Sequence, residues 1–275
     1  MKWIHKFSTV HTTAAPERNI KYIVIHYTAG VSSKSGVALN TAIYFETTPR
    51  EVSSDFIVDD AGVCQYNGDI RNRYTWHCGG SKYDTKGGTY YGICTNKNSI
   101  GIEVASTNST GLMQEANDAS YSFTYAVLQN TEELVLKLMN EYNIPYDNVI
   151  RHYDVTGKPC PGVPGYNIDS GSDKLWRNFK DRLRLKLQSS SSSSTSTTEA
   201  PEGNLYYVQV GAFKSKSNAE EYLNKEVKPV YSYAFIKENA GYYYVQVGAF
   251  MSEVNANNCL KEARKHFPDA FIKRF

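Results

Sequence analysis

Hydrophobic and polar positions follow two periods along this chain. In "KYIVIHYT", residues 21–28, β-branched and aromatic residues continue on both faces, the pattern of a strand covered on both sides, and the run ends at His26. "SIGIEVAS", residues 99–106, puts Ile100, Ile102 and Val104 on one face and Gly101, Glu103 and Ala105 on the other, because side chains alternate along a strand. Glu103 therefore opposes an apolar face. A helical period then takes over in "FTYAVLQNTEELVLKLMNEY", with Leu128, Leu134, Val135, Leu138 and Tyr142 on one stripe and Pro145 beyond its end. "NVIRHYDV" predicts a short strand delivering His152. "SDKLWRNFKDRLRLKL" predicts a closing helix burying Leu175, Trp176, Phe179, Leu183 and Leu187, capped by Ser172 or Asp173. Alternating strands and helices predict an α/β domain, a mixed central sheet flanked by helices.

The pattern lapses at 188–204, "QSSSSSSTSTTEAPEGN", which has no apolar residue beyond one alanine. Such a segment cannot bury enough surface to offset its ordering entropy and reads as a flexible Ser/Thr-rich linker. It divides the chain into a domain at 1–187 and a smaller one at 205–275. The smaller one contains "YYVQVGAF" twice, at 206–213 and 243–250, a repeat of period 37. Each copy leads into a helix-like run and a second strand, which predicts a βαββαβ arrangement: four strands with two helices on one face. Alternation sets Tyr207, Gln209, Tyr244 and Gln246 opposite the valines, so the helices should cover the valine face and leave the Gln and Tyr side chains in solvent.

Composition narrows the partners. The chain has 275 residues, 41% of them hydrophobic and 21% charged, with a formal charge of +2. That balance is ordinary for a soluble globular protein and too weakly basic for nucleic acid to be the main partner. No stretch approaches the roughly 18 apolar residues of a spanning helix, and "MKWIHKFSTVHTTAAPERN" lacks the apolar core of a secretory signal, so a cytoplasmic protein at synthesis, without membrane insertion, is expected. Five cysteines, Cys64, Cys78, Cys94, Cys160 and Cys259, make an odd-numbered, irregular set that suits a reduced compartment better than a disulfide framework. Nothing in the sequence fixes an oligomeric state.

The chemistry concentrates in "RHYDVTGKPCPG", residues 151–162. A hydrolytic zinc takes about three protein ligands and leaves one position open, and His26, His152 and Cys160 can supply those three. Pro159 and Pro161 stiffen the backbone around the thiol. Glu103 is the candidate base, and Lys158 the candidate donor to an oxyanion. The same residues also fit a plainer reading, a hydrogen-bonded strand-end histidine and a small buried cysteine, and spacing alone does not decide between them.

Taken in order, "IVIHYTAG", "SSDFIVDDAGVCQYNGD", "YTWHCGG", "NSIGIEVAS" and "RHYDVTGKPCPG" resemble the zinc-dependent N-acetylmuramoyl-L-alanine amidases of the Amidase_2 and peptidoglycan-recognition-protein family. The resemblance implies one Zn2+ in an open groove and cleavage of the amide between the lactyl group of N-acetylmuramic acid and L-alanine. It places the ligands on His26, His152 and Cys160, the oxyanion-stabilising lysine on Lys158 and the acidic base on Glu103. Where some members carry a tyrosine near the zinc this chain has Ser54, and where many have a histidine it has Asp55, whose role the sequence leaves open. His77 resembles a groove histidine that touches the muramyl peptide, or else packs beside Trp76. Tyr27 and Thr28 either line the groove or finish their strand. Asp154 either orients His152 or bonds its own backbone, and Cys64, Cys78 and Cys94 are expected to pack.

The duplicated "YYVQVGAF" resembles the SPOR repeat domains, which implies binding to bacterial wall glycan through Tyr207, Gln209, Tyr244 and Gln246. Together the resemblances imply a modular wall-lytic enzyme like a phage or prophage endolysin, with peptidoglycan as partner and the wall as its place of action after release. Two rivals are a non-catalytic peptidoglycan receptor, against which Cys160 argues, and a cytoplasmic muropeptide-recycling amidase, against which the wall-binding tail argues.

Overall fold

The structure is a computed structural model that describes residues 1–83, 86–191, 206–231, 234–250 and 253–274. It divides into two compact units, Met1–Arg177 and Asn178–Phe275, described separately below.

The first unit is built on a six-stranded sheet. Its strands are β1 (Lys2–His5), β2 (Tyr22–Tyr27), β3 (Phe56–Val58), β4 (Gly62–Gln65), β5 (Ser99–Val104) and β6 (Val149–Arg151), in the spatial order β1-β4-β3-β5-β2-β6. Only β3 and β4 pair antiparallel; β3, β5, β2 and β6 run parallel side by side. This is the mixed sheet the alternation predicts. Ile23, Val24, Ile57, Ile100 and Ile102 have no exposed surface, as expected of strands covered on both faces.

Helix α1 (Val37–Thr47) covers one face, packing Ala38, Ala42 and Phe45 against Ile57 and Cys64. Helix α2 (Tyr125–Tyr142) packs against β3, β4 and β5 and buries Leu128, Leu134, Val135 and Leu138 of the predicted stripe. It begins where the Thr124 hydroxyl accepts from the Val127 amide at 3.2 Å and ends at Asn143 in the left-handed region, φ 53°, two standard end signals. His152 is not in a strand, as the sequence suggested, but is the first residue of a short helix, α3 (His152–Thr156). The cause lies two residues on: Asp154 accepts from the Arg151 backbone amide at 2.8 Å and turns the chain. Helix α4 (Lys174–Ser191) contains the division between the units and takes in the first four residues of the predicted linker; residues 192–205 lie outside the described residues. No helix among the described residues is long and apolar enough to cross a membrane.

The second unit contains the four-stranded sheet expected of the repeat, with strands β7 (Tyr206–Phe213), β8 (Phe235–Asn239), β9 (Tyr242–Phe250) and β10 (Phe271–Lys273) in the order β8-β9-β7-β10. The repeated octapeptides are neighbours, paired antiparallel at its centre. Helices α5 (Lys216–Tyr222) and α6 (Glu253–Ala263) place Ala219, Ala256 and Ala263 with Val208, Val245 and Val247 in one core. The valine face is covered as predicted.

The opposite face needs correction. Gln209 and Gln246 are 4% and 0% exposed and Tyr207 8%, with Tyr244 half-buried, so the two glutamines do not stand in solvent. They are register partners in one row, Phe235–Gln246–Gln209–Phe271, that crosses all four strands. The adjoining rows carry tyrosines and lysines. Lys237 Nζ lies 5.1 Å from the Tyr207 ring and Lys273 Nζ 3.9 Å from the Tyr244 ring, and these large side chains close over the row. Alternation correctly sets the face but cannot show what covers it.

Candidate active site

The parallel strands end together, and ligand sites in such sheets form beyond the carboxyl ends of the strands. His26 is the penultimate residue of β2 and Glu103 of β5, and the two are register partners. His152 follows directly after β6, the other neighbour of β2. Cys160 arrives on the returning loop, whose Cys160 carbonyl accepts from the Tyr153 amide at 2.9 Å. Asn167 Nδ2 donates to the Pro161 carbonyl at 2.7 Å, and the Asn117 backbone amide donates to the Gly162 carbonyl at 2.8 Å. The structure thus brings together the three candidate ligands and the candidate base.

One ligand atom from each of His26, His152 and Cys160 lies within 4.8 Å of the others, and all three residues are buried. Cys160 Sγ is 3.7 Å from His26 Nδ1, and the two imidazole centroids are 4.7 Å apart. His152 Nε2 is a buried nitrogen with no hydrogen-bond partner, and Glu103 Oε2 is likewise buried and unpartnered although part of its side chain is open to solvent. Buried polar atoms are ordinarily satisfied. Two imidazoles and a thiol, with an orphaned ring nitrogen among them, fit a soft divalent cation such as zinc.

The electrostatics of the two histidines agree. Burial, then the charge of Lys158, pushes His152 down to about 3. Burial also lowers His26, helped by His152, His77 and Lys158. Both rings are therefore neutral and have lone pairs to give. Burial and Glu103 push the Cys160 thiol up to about 12, opposed by Lys158. Burial raises the Glu103 carboxyl to about 8, again against Lys158 and His77. Lys158 itself is exposed, and with His152, Thr156, Gly79, Gly80 and Ser81 it lines an open cleft beside the cluster.

The neighbouring residues explain this placement. Arg151 and Asp154 form a bidentate ion pair, Nη2 to Oδ1 at 2.6 Å and Nε to Oδ2 at 2.9 Å, and Arg151 also reaches the Tyr166 carbonyl at 2.8 Å. Asp154 thereby fixes the start of the helix that carries His152. The Tyr27 backbone amide is directed at Cys160, while its hydroxyl packs so closely on Gly162 that a Cβ there would lie 2.3 Å away. The Thr28 hydroxyl is engaged by the amides of Gly30 and Ser106, at 3.2 and 3.3 Å.

His77 is 7% exposed and packs against His26, with its Nδ1 3.1 Å from His26 Nε2. Gly101 makes room for it, since a Cβ there would meet the imidazole at 2.6 Å. Asn96 Oδ1 pins it by accepting from the amides of His77 and Cys78.

Asp55, left without a role by the sequence, is fully buried. It accepts from the Gly101 amide at 2.8 Å and from Asn67 Nδ2 at 2.7 Å, bracing β5. Ser54 is buried beside it. Arg18, which sequence reasoning missed, spreads its buried guanidinium over the carbonyls of Arg73, Asn96, Lys97 and Ser99 and so clamps the turn leading into β5. All five cysteines are buried thiols outside any disulfide.

The profile of the N-acetylmuramoyl-L-alanine amidase family, Amidase_2, matches residues 9–163, and that of the SPOR domain matches residues 202–274. Among curated proteins, the Bacillus subtilis (strain 168) N-acetylmuramoyl-L-alanine amidase XlyB is 34% identical over 142 residues, 51% of this chain and 37% of that protein. The same organism's N-acetylmuramoyl-L-alanine amidase CwlH is 32% identical over 140 residues, 51% of this chain and 46% of that protein. The chain thus spans less than half the length of these relatives. Among solved structures, that of PlyL aligns over 66% of this chain and 97% of its own, at 26% identity and a TM-score of 0.47. With the family profile covering more than half of its residues, this chain belongs to the N-acetylmuramoyl-L-alanine amidase family, Amidase_2.

Proposed function

We propose that the first unit hydrolyses the amide between the lactyl group of N-acetylmuramic acid and L-alanine in bacterial peptidoglycan, with one zinc ion as cofactor, and that the SPOR region binds it to wall glycan. The observation that carries this reading is the buried His26–His152–Cys160 cluster with Glu103 in register beside it. His26, His152 and Cys160 would hold the zinc, which when bound supplies Lewis-acid polarisation and acidifies water.

The rest falls to the chain's own side chains. Glu103, with its proton affinity near neutrality, suits transfer in both directions: its carboxylate takes a proton from the attacking water and returns it to the departing alanine nitrogen. The Lys158 ammonium, on the open side of the cluster, stabilises charge developing on the carbonyl oxygen. The cleft beside His152 leaves the stem peptide room to enter. In the second unit, Gln209 and Gln246 are buried beneath the Tyr207–Lys237 and Tyr244–Lys273 pairs, so wall sugars would meet those tyrosine and lysine side chains, not the glutamines.

Mass spectrometry of products from purified peptidoglycan tests the reaction, with wild type beside Cys160→Ser. Free L-alanine amino termini and intact lactyl-bearing glycan are expected from wild type only. New reducing ends, or cleaved cross-bridges, would show that another bond is the target.

A further inference from the structure

His26 has hydrogen-bonding surroundings on both nitrogens. Nδ1 faces Cys160 Sγ, on the ligand side, and Nε2 faces His77 Nδ1 at 3.1 Å. On its other side His77 Nε2 is 3.2 Å from Ser99 Oγ, and Ser99 Oγ lies 2.6 Å from the Thr95 backbone carbonyl. His26, His77 and Ser99 are all buried.

The carbonyl at the far end can only accept, so Ser99 must donate to it. Ser99 Oγ then uses a lone pair to accept from His77 Nε2–H, and its remaining lone pair faces the Cys78 thiol at 3.6 Å. In the tautomer with its proton on Nε2, His77 presents a bare Nδ1 and accepts from His26 Nε2–H; burial, which disfavours a second proton on this ring, is outweighed by Cys78 and Asp55. His26 in turn is left with a bare Nδ1 directed at the ligand cluster. We propose that His77 is a positioning residue: through this chain, anchored on the Thr95 carbonyl, it fixes the tautomer and ring orientation in which His26 ligates a metal through Nδ1.

The surroundings suit that task. Asn96 holds the His77 backbone, the missing side chain of Gly101 lets the ring lie against β5, and Arg18 clamps the Asn96–Ser99 turn on which the chain ends. Outer partners that orient a metal-bound histidine typically contribute about 10–100-fold in metal affinity.

This inference rests on the metal-binding reading of His26, and the test separates the two. Zinc affinity is measured by chelator competition for the full chain, with Ser99→Ala, Ser99→Thr and Gly101→Ala, and folding is checked by circular dichroism. Ser99→Ala and Gly101→Ala should bind zinc about 10–100-fold more weakly, and Ser99→Thr, which keeps the hydroxyl, should restore most of the loss. Nitrogen-15 NMR of the zinc-loaded wild type, which needs no variant, should show His77 neutral with its proton on Nε2. Unchanged affinity in Ser99→Ala, or a His77 proton on Nδ1, would overturn the positioning role alone. A wild type that binds no zinc would overturn the metal reading, and this proposal with it.

Discussion

Glu103 is held against the ordinary preference of a carboxylate for charge and water. Its folded-state pKa of about 8 stands above the usual 4.5, so the folded chain keeps a proton that the unfolded chain releases. Stability of the metal-free protein therefore falls as pH rises from about 4.5 to about 8 and is level with respect to this group beyond that. Glu103→Gln removes the effect: scanning calorimetry at about pH 8 should show the metal-free variant melting above wild type, with the gap closing near pH 4. Hydrolysis should be lost while zinc is still bound, the pattern of a residue kept for function at a cost to stability. The histidines act at lower pH. His26 is lowered and His152 sits near 3, so below about 6.5 the unfolded chain binds protons first and acidification toward 3 favours it. The identities of these residues were legible because each sits in a local pattern: His26 at the end of an apolar strand, Glu103 opposite Ile100 and Ile102, Cys160 between prolines. Their second layer was not. Ser99 and Asp55 act on backbone groups, and Arg18 reaches a carbonyl 81 positions away; nothing in a local window reports such a partner.

At the scale of elements, the site depends on the alignment of β2, β5 and β6. Asp55 contributes by satisfying the Gly101 amide and Asn67 in the interior. Asp55→Ala leaves the Gly101 amide and one of the two Asn67 Nδ2 hydrogens unmet, Asn67 keeping the Arg73 carbonyl, and a loss of about 1–3 kcal/mol is expected. Denaturant titration should find it, with Asp55→Asn retaining part of the stability. Strands and long helices were readable because periodicity is a property of a few adjacent residues. The strand expected to carry His152 failed for an equally local reason: the Asp154 side chain competes for the Arg151 amide and starts a helix. In the second unit, the row Phe235–Gln246–Gln209–Phe271 came from register between distant strands, which no single strand encodes.

For the whole molecule, the amidase and SPOR profiles cover different stretches, 9–163 and 202–274. If the second unit serves to raise the local concentration of wall substrate, removing residues 202–275 should lower activity on intact walls and leave activity on soluble muropeptides unchanged. Equal loss on both would show that the second unit supports the first one's fold or chemistry instead. The repeat within that unit has a separate consequence. The central strands, β7 and β9, are two copies of one octapeptide and bind each other edge to edge. A segment that is its own complement within one chain is equally complementary to the copy in a neighbour. Refolding at high concentration should therefore yield a fraction of strand-exchanged dimers with native hydrogen bonding, separable by size-exclusion chromatography, and dilute refolding should yield monomers alone.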